Sequence, residues 1–367
     1  LGDVYKRQVD RMKLNMENKF YRVIVCGTNF GRIYIEGITR KTTKCKLVGI
    51  LSKGSQQSRK CAESNGVPLY TNVSQISSSE VDIVCVAVKS SITGGKGTEI
   101  AKECLKKGIN VIQEQPVHFT DAKELYAIAI ANKCHYYINN FYSKLPSGMA
   151  AIRYANKILH LADPILVEAE CSIQVLYPLL DIIGKMLGGI TPCKVYKTGE
   201  KNGILTILEG SINEIPLILK VENRMVSQDS DNYALLFHRI VVFTKSGQLV
   251  MDNSIGAVLW EPRYFIPKKD NILELFGDNE YSKQKVSEVL NEECLQYTYQ
   301  DIYENIWPEG IANAFDEFIT IIKEKCDRQF IQYQLNLCKL WNDIGTCIGP
   351  THDIYPDKFP PICIKGL

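Results

Sequence analysis

The sequence lacks several features that would define a membrane or nucleic-acid-binding protein. No apolar run approaches the roughly 18 to 20 residues of a membrane-spanning helix, and the N-terminus has no hydrophobic signal segment. The formal charge of +2 is too small to provide the basic surface that nucleic-acid binding needs. We therefore predict a cytoplasmic protein that uses neither a membrane nor a nucleic acid as its partner.

Paired cysteine motifs are also absent. The chain has 13 cysteines, an odd number, and they stand singly without a Cys-x-x-Cys pair. Several lie inside apolar runs, as Cys85 does in Val-Asp-Ile-Val-Cys-Val-Ala-Val. This distribution predicts buried, reduced thiols in a reducing compartment, and it predicts no metal site.

The length of 367 residues exceeds what one hydrophobic core usually holds, which favours two domains. Residues 1–18 show no pattern, and we interpret them as a non-native or disordered leader, with Met12 or Met16 as the expected start. A change in pattern near residue 143 predicts a nucleotide-binding domain at 19–143. The remaining residues, 144–367, are expected to form a second, α+β domain.

The first strong pattern is an apolar strand, a tight turn and a helix between Phe20 and Glu36. Such a turn offers backbone N–H groups and a helix N-terminus to a pyrophosphate. The glycine fingerprint is incomplete: counting back from Gly31 places Cys26 and Thr28 where glycines are usual, and counting from Gly27 places Asn29 in the second position. A dinucleotide site and an ordinary strand–helix turn therefore both remain open at this motif.

An acidic residue is absent where NAD-binding units usually carry one, at the end of the second strand about 20 residues after the glycine turn. Hydroxyl and cationic side chains follow Leu51 instead, and these suit the 2′-phosphate of NADPH because a carboxylate would repel it. The alternative is a solvated polar loop that begins a helix. The residues concerned are Ser52, Lys53, Ser55, Ser58 and Arg59.

Strand and helix patterns alternate over about 120 residues up to Ile138, which predicts a doubly wound parallel sheet of the Rossmann type. The apolar run Val81–Val88, interrupted only by Asp82, is typical of a central strand. Beyond Tyr142, segments of alternating polarity predict an open, largely antiparallel sheet covered by helices, including Glu309–Cys326 and Gln329–Ile348. The fold class is thus α/β followed by α+β.

This arrangement resembles the glucose–fructose oxidoreductase and inositol dehydrogenase superfamily. Members of that superfamily usually carry Glu-Lys-Pro at the end of the fifth strand, where this chain has Glu114-Gln115-Pro116. The lysine, which is normally catalytic, is replaced by Gln115. Loss of that base argues against alcohol oxidation by this chain.

A closer resemblance is to the thiazolinyl imine reductases, the NADPH enzymes of yersiniabactin-type and pyochelin-type siderophore assembly. It covers the chain from about Tyr21 to Ile348. The motifs that carry it are Val-Cys-Gly-Thr-Asn-Phe-Gly-Arg-Ile-Tyr, Leu-Val-Gly-Ile-Leu-Ser-Lys-Gly-Ser, Gly-Gly-Lys-Gly-Thr at 94–98, Val-Ile-Gln-Glu-Gln-Pro-Val-His, Asn-Phe-Tyr at 140–142, His-Arg at 238–239 and Trp-Pro-Glu-Gly at 307–310.

The resemblance implies reduction of a thiazoline C=N bond to a thiazolidine, on a substrate tethered to a carrier protein of a nonribosomal peptide synthetase. It also implies a homodimer. Two other functions remain open: a sugar or polyol dehydrogenase of the wider superfamily, and a non-catalytic NADP-binding sensor. The incomplete glycine fingerprint is the feature that best supports the sensor.

Four side chains are candidates for catalysis or substrate binding. Tyr142 can donate a proton or orient a water, or can simply pack at a domain junction. Gln115 has no useful pKa but can form hydrogen bonds, and His118 can titrate near neutral pH or cap a helix. His238 can face substrate or the open side of its sheet. The substrate nitrogen can also be protonated by solvent before binding, and proximity to the nicotinamide would then be the protein's main contribution to catalysis.

The candidate cofactor-binding residues come from the ends of successive predicted parallel strands. They are Gly27, Thr28, Asn29, Phe30, Gly31, Ser52, Lys53, Ser55, Ser58, Arg59, Val88, Lys89, Ser90, Gly95, Glu114 and Gln115.

Overall fold

The computed structural model describes residues 20–42, 44–90, 95–199, 203–230, 232–276, 278–324, 328–355 and 362. The expected leader at 1–18 lies outside these residues. The chain divides into two compact units. The first joins Leu1–Pro146 to Gln296–Lys339, and the second joins Ser147–Leu295 to Leu340–Leu367.

The first unit contains a six-stranded sheet with the order β3-β2-β1-β4-β5-β6, in which every neighbouring pair is parallel. This confirms the predicted Rossmann sheet. The order reverses between β1 and β4, which creates a crevice at the carboxyl ends of the strands. The strands are β1 (Tyr21–Cys26), β2 (Cys45–Leu51), β3 (Leu69–Tyr70), β4 (Ile83–Val86), β5 (Asn110–Glu114) and β6 (Tyr136–Asn139).

Local sequence explains these elements. All four residues of β4 are fully buried, as expected for a central parallel strand covered on both faces. The helix after β2 begins at a serine cap, where the hydroxyl of Ser55 accepts the backbone N–H of Ser58. The helices that connect the strands are α1 (Gly31–Glu36), which continues as a π-helical segment (Gly37–Lys41), α2 (Gln56–Ser64), α3 (Gly97–Lys106) and α4 (Phe119–Ala131).

The second unit contains an eight-stranded sheet with the order β17-β14-β13-β12-β7-β10-β9-β8. Only β7 and β10 pair in parallel, so the largely antiparallel character is confirmed. Helices α5 (Pro146–Leu159) and α6 (Leu176–Met186) belong to this part of the chain. The strands are β7 (Pro164–Ser172), β8 (Cys193–Lys197), β9 (Leu205–Ile212), β10 (Ile215–Glu222), β11 (Arg224–Met225), β12 (Arg239–Thr244), β13 (Gly247–Met251), β14 (Val258–Pro262), β15 (Lys268–Lys269), β16 (Ile272–Leu273), β17 (Glu288–Val289) and β18 (His352–Asp353).

The late helices are α7 (Trp307–Glu324) and α8 (Arg328–Ile348). The sequence predicts that both cover the second sheet, but α7 belongs to the first unit and packs on the π-helical segment after α1. A Cβ atom added at Gly37 would lie 2.8 Å from Ile311 Cγ2 and 2.8 Å from the carbonyl oxygen of Pro308. The glycine therefore lets α7 lie directly on the π-helical segment. The division between units falls within α8, after Lys339.

The cysteines in the described residues are free thiols, and most of them are buried. Burial raises the pKa of Cys26, of Cys45 and of Cys104 to about 12 in each case, so these thiols stay protonated at neutral pH. Within the same part of the chain, no helix has the length and apolar character needed to cross a membrane.

Candidate functional site

The turn after β1 is built around Gly27. This residue has φ +101°, and its N–H donates to the carbonyl oxygen of Leu51 at 2.9 Å. A Cβ atom added here would lie 2.7 Å from Val88 Cγ1 and 3.0 Å from the carbonyl oxygen of Ala87. Glycine at this position lets the turn come close to the end of β4, at the point where the strand order reverses.

The rest of the turn, Thr28 to Gly31, leads into α1 with two backbone hydrogen bonds. The N–H groups of Arg32 and Ile33 donate to the carbonyl oxygens of Asn29 and Phe30, at 3.2 and 3.1 Å. Phe30 packs against Phe141, with ring centroids 5.9 Å apart. The missing glycines are thus accompanied by an aromatic contact that supports the turn.

The loop after β2 carries no carboxylate between Ser52 and Ser58. Lys53 is exposed, and Arg59 is exposed with its Nε donating to the carbonyl oxygen of Gly54 at 3.0 Å. The Ser58 hydroxyl differs, because this side chain is fully buried and donates to the carbonyl oxygen of Ser55 at 2.9 Å. Ser58 therefore supports the start of α2, while Lys53 and Arg59 are placed to meet an anion from solvent.

The loop after β4 begins at Val88 and Lys89 and is held by Gly95 and Ser90. A Cβ atom at Gly95 would lie 2.0 Å from the carbonyl oxygen of Lys89, so only glycine fits there. The Ser90 hydroxyl is buried and donates to the carbonyl oxygen of Pro116 at 2.8 Å. This bond joins the β4 loop to the segment after β5. Residues 91–94, including the first glycine of the Gly-Gly-Lys motif, lie outside the described residues.

At the end of β5, Glu114 is held by side chains from two other elements. The Tyr34 hydroxyl of α1 contacts its carboxyl group, and the Asn139 amide Nδ2 of β6 donates to the Tyr34 oxygen at 2.6 Å. Gln115 and Asn139 also form hydrogen bonds with the carboxyl. Glu114 keeps partial solvent exposure, yet desolvation by the surrounding protein outweighs these donors and raises its pKa to about 8.

Two side-chain acceptors near Glu114 are buried without a hydrogen-bond partner among the described residues. They are Gln115 Oε1 and Asn139 Oδ1. Buried acceptors without a donor are uncommon, and they are expected where a ligand supplies the donor. The turn at Gly27 and the cationic side chains of the loop after β2 lie at the ends of neighbouring strands. Together with these two acceptors, they fit a dinucleotide cofactor.

Tyr142 lies in the 3-10 turn Phe141–Lys144, directly after β6. Its side chain is 8% exposed and packs on Phe141, with centroids 4.3 Å apart. The aromatic ring thus belongs to the same cluster as Phe30. Its role as a proton donor stays a prediction.

His118 is the N-cap of α4. Its Nδ1 accepts the backbone N–H of Thr120 at 3.3 Å and lies 2.7 Å from the Thr120 hydroxyl. The structure shows the capping contact that the sequence allowed, and a catalytic role for His118 stays a prediction.

The contact of His238 with substrate stays a prediction, but the structure does not place this side chain on an open face of the sheet. The side chain is fully buried in the second unit, with Nδ1 at 2.8 Å from the Ser254 hydroxyl and Nε2 at 2.9 Å from the carbonyl oxygen of Val175. Burial lowers its pKa to about 3, so the ring stays neutral. The strand β12 begins only at Arg239, so the histidine lies just before the alternating segment rather than within it.

Sequence reasoning missed three residues at this site. Tyr34 and Asn139 hold Glu114, and the indole Nε1 of Trp307 is buried without a partner among the described residues. The Trp307 ring packs against Phe141, with centroids 5.6 Å apart. A signal existed for Tyr34, since a tyrosine within the buried stripe of a helix needs an acceptor for its hydroxyl.

A separate cavity of about 530 Å³ lies between α1 and α2, where Arg32, Lys60 and Cys61 are among the lining residues. None of the strand-end residues above lines it. The cavity is therefore distinct from the dinucleotide site.

Two protein-family models match the chain. Residues 21–140 match the oxidoreductase family with an NAD-binding Rossmann fold. Residues 162–261 match the C-terminal region of the Irp3-like thiazolinyl imine reductases. A comparison with curated proteins gives no match.

Several solved structures share the fold at low sequence identity. The WlbA dehydrogenase from Bordetella pertussis, solved with NADH and UDP-GlcNAcA, has 12% identity and a TM-score of 0.63, over 90% of this chain and 96% of its own. Myo-inositol 2-dehydrogenase from Lactobacillus plantarum has 11% identity and a TM-score of 0.62, over 92% and 100%. UDP-N-acetylglucosamine 3-dehydrogenase GnnA from Acidithiobacillus ferrooxidans has 14% identity and a TM-score of 0.61, over 89% and 97%.

Proposed function

Starting from an oxidoreductase-family Rossmann domain at residues 21–140, we propose that this protein is an NADPH-dependent reductase that converts a thiazoline C=N bond to a thiazolidine. The observation that carries the proposal is the match of residues 162–261, on the same chain, to the thiazolinyl imine reductase C-terminal region. The solved dehydrogenases share only the fold, because their identity to this chain is 11 to 14%.

The residues at the strand ends support this chemistry. When bound, the nicotinamide supplies the hydride. The chain itself positions the dinucleotide through the turn at Gly27, and it presents Lys53 and Arg59 to the 2′-phosphate. Gln115 occupies the position where the wider superfamily carries its catalytic lysine, and an amide cannot remove the proton from an alcohol. Reduction of an already unsaturated C=N bond needs no such base.

The substrate is proposed to be tethered to a carrier protein of a nonribosomal peptide synthetase, and the enzyme is proposed to act as a cytoplasmic homodimer. Both proposals come from the resemblance to thiazolinyl imine reductases. Mixing the purified protein with a carrier protein loaded with a thiazoline intermediate tests the first. Its mass in solution tests the second.

The direct experiment follows NADPH absorbance in the presence of a synthetic aryl-thiazolinyl-thiazole thioester. We expect NADPH oxidation and a product heavier by two hydrogens. No oxidation above background across a panel of such thiazolines would contradict the proposal.

A matched assay separates the other two functions. Reduction of NAD⁺ or NADP⁺ with inositols or nucleotide sugars, in place of thiazoline turnover, would identify a sugar or polyol dehydrogenase. NADPH binding without turnover of either substrate class would identify a sensor.

Cofactor choice has its own test. We expect tighter binding of NADPH than of NADH, because Lys53 and Arg59 are exposed beside a loop without a carboxylate. Equal affinities for the two would contradict the role assigned to this loop.

A further inference from the structure

Glu114 stands at the centre of a directed set of hydrogen bonds. Asn139 Nδ2 can only donate, and it donates to the oxygen of Tyr34 at 2.6 Å. The Tyr34 proton is then free to point to the carboxyl of Glu114, which Tyr34 contacts. The side chain and backbone of Gln115 approach the same carboxyl. Three elements thus fix one carboxyl group at the carboxyl end of β5.

The position of β5 in the sheet places this carboxyl on the nicotinamide side of the cofactor site. The loop after β2 is suited to the adenosine half of the dinucleotide, and the turn after β1 is suited to its pyrophosphate. The other half must therefore extend beyond β1 toward β4 and β5. With strands about 4.8 Å apart, β5 lies roughly 10 Å from β1, which is within the reach of a dinucleotide.

A proton donor in the site would assist the proposed reaction. The C=N bond gains a hydride at carbon and a proton at nitrogen, and Gln115 has no proton to give at neutral pH. His118 caps α4. Glu114 is the residue directly before Gln115, it retains partial exposure, and it is held as described.

We propose that Glu114 is the proton donor to the substrate nitrogen, with Tyr34 and Asn139 as the residues that position it. This rests on the proposed thiazoline reduction. In the step, the C=N carbon receives the hydride of the reduced nicotinamide, and the nitrogen receives the proton of the Glu114 carboxyl. The C=N π bond and the carboxyl O–H bond break, new C–H and N–H bonds form, and Glu114 is left as a carboxylate that takes a proton back from water.

The groups facing Glu114 allow this cycle. Tyr34 from α1 and Cys85 from β4 both have pKa values well above their usual ranges and remain neutral, and Gln115 and Asn139 carry no charge. With its pKa raised to about 8, Glu114 holds its proton at neutral pH. Activity is therefore expected to fall as the pH rises through about 8, because the carboxyl then ionises.

The test compares Glu114→Gln, Tyr34→Phe and wild type in thiazoline-dependent NADPH oxidation across a pH series. We expect Glu114→Gln to lower kcat by about 100-fold or more, the usual contribution of a general acid, and to remove the decline above pH 8. Tyr34→Phe removes a donor that lowers the Glu114 pKa. Tyr34→Phe should therefore move the decline in activity to higher pH, and a loss of packing alone would not cause that shift.

An infrared difference spectrum of wild type minus Glu114→Gln, without substrate, reports the ionisation separately from turnover. We expect a protonated carboxyl band at pH 7 that disappears above pH 8. NADPH affinity and the melting temperature of Glu114→Gln check that the variant is folded and binds cofactor.

Each outcome decides the proposal. An active wild type with an equally active Glu114→Gln variant overturns it, as does an ionised Glu114 at pH 7. If Tyr142→Phe removes the activity while Glu114→Gln retains it, Tyr142 is the donor instead. A wild type that reduces no thiazoline overturns the proposed function together with this step, and the infrared band then reports only that Glu114 is protonated.

Discussion

Replacing Gly27 with alanine tests the close approach between the β1 turn and the end of β4. Two costs are expected in Gly27→Ala. A residue with a Cβ atom at positive φ loses about 1 to 2 kcal/mol relative to glycine. The added methyl would also lie 2.7 Å from Val88 Cγ1 and 3.0 Å from the Ala87 carbonyl oxygen, and overpacking of this kind typically costs a further 1 to 3 kcal/mol. The total loss of unfolding free energy is about 2 to 5 kcal/mol.

Gly66 provides the matched control, because it has φ +62° and nothing within 4 Å of an added Cβ atom. Gly66→Ala should lose only the conformational part, about 1 to 2 kcal/mol. Equilibrium urea unfolding of both variants measures the difference, and fluorescence titration with NADPH measures binding. We expect weaker NADPH binding only for Gly27→Ala, since Val88 must move at the crevice.

Two results would refute this reasoning. Equal destabilisation of the two variants would show that the contact with Val88 and Ala87 carries no cost. Unchanged NADPH affinity in Gly27→Ala would show that the turn does not approach the cofactor.

Three further predictions concern other residues. Charge reversal at Lys53 and Arg59 should weaken NADPH binding and leave NADH binding unchanged, and binding titrations of both cofactors check this; equal losses would argue against a 2′-phosphate contact. The folded pKa of His238, about 3, lies below the unfolded value of 6.5, so the unfolded state protonates first and stability is lost as the pH falls from about 6.5 toward 3. The loss of unfolding free energy is on the order of 4 kcal/mol. Urea unfolding at pH 7 and pH 4 measures it, and a His238→Gln variant should lack most of this loss. If the variant loses as much unfolding free energy between the two pH values as the wild type, His238 is not the cause. Trp307→Phe removes a buried donor that has no partner among the described residues. Thermal unfolding should therefore show little loss of stability. Weaker NADPH binding by this variant would show that the bound cofactor accepts a hydrogen bond from the indole.

The sequence was sufficient for the features that depend on neighbouring residues. The strand, turn and helix around Gly27 follow from a local apolar pattern, and the buried strand β4 follows from an uninterrupted apolar run. The sequence also shows that the loop after β2 lacks a carboxylate at the expected distance from the turn, and the preference of this loop for NADPH stays a prediction.

Features that depend on distant residues were not accessible in this way. Burial raises the pKa of Glu114, and the hydrogen bond from Tyr34, which lies 80 positions away, partly offsets that rise. The burial of His238 depends on Ser254 and Val175, which no pattern in its own segment reveals. The apolar face of α7 predicts that the helix packs on something, but periodicity does not specify which sheet it covers.

The contact between Gly37 and α7 has a consequence for how the protein is made. The cofactor-binding unit takes its first segment from the start of the chain and its second, Gln296–Lys339, from near the end. During translation the strands at residues 21–139 leave the ribosome long before Ile311 exists to cover the π-helical segment. Residues 147–295 must be synthesised in the interval, while the apolar surface around Ile38 stays open to water or to a chaperone. Nascent chains stalled before residue 307 are therefore expected to carry an incompletely covered Rossmann sheet.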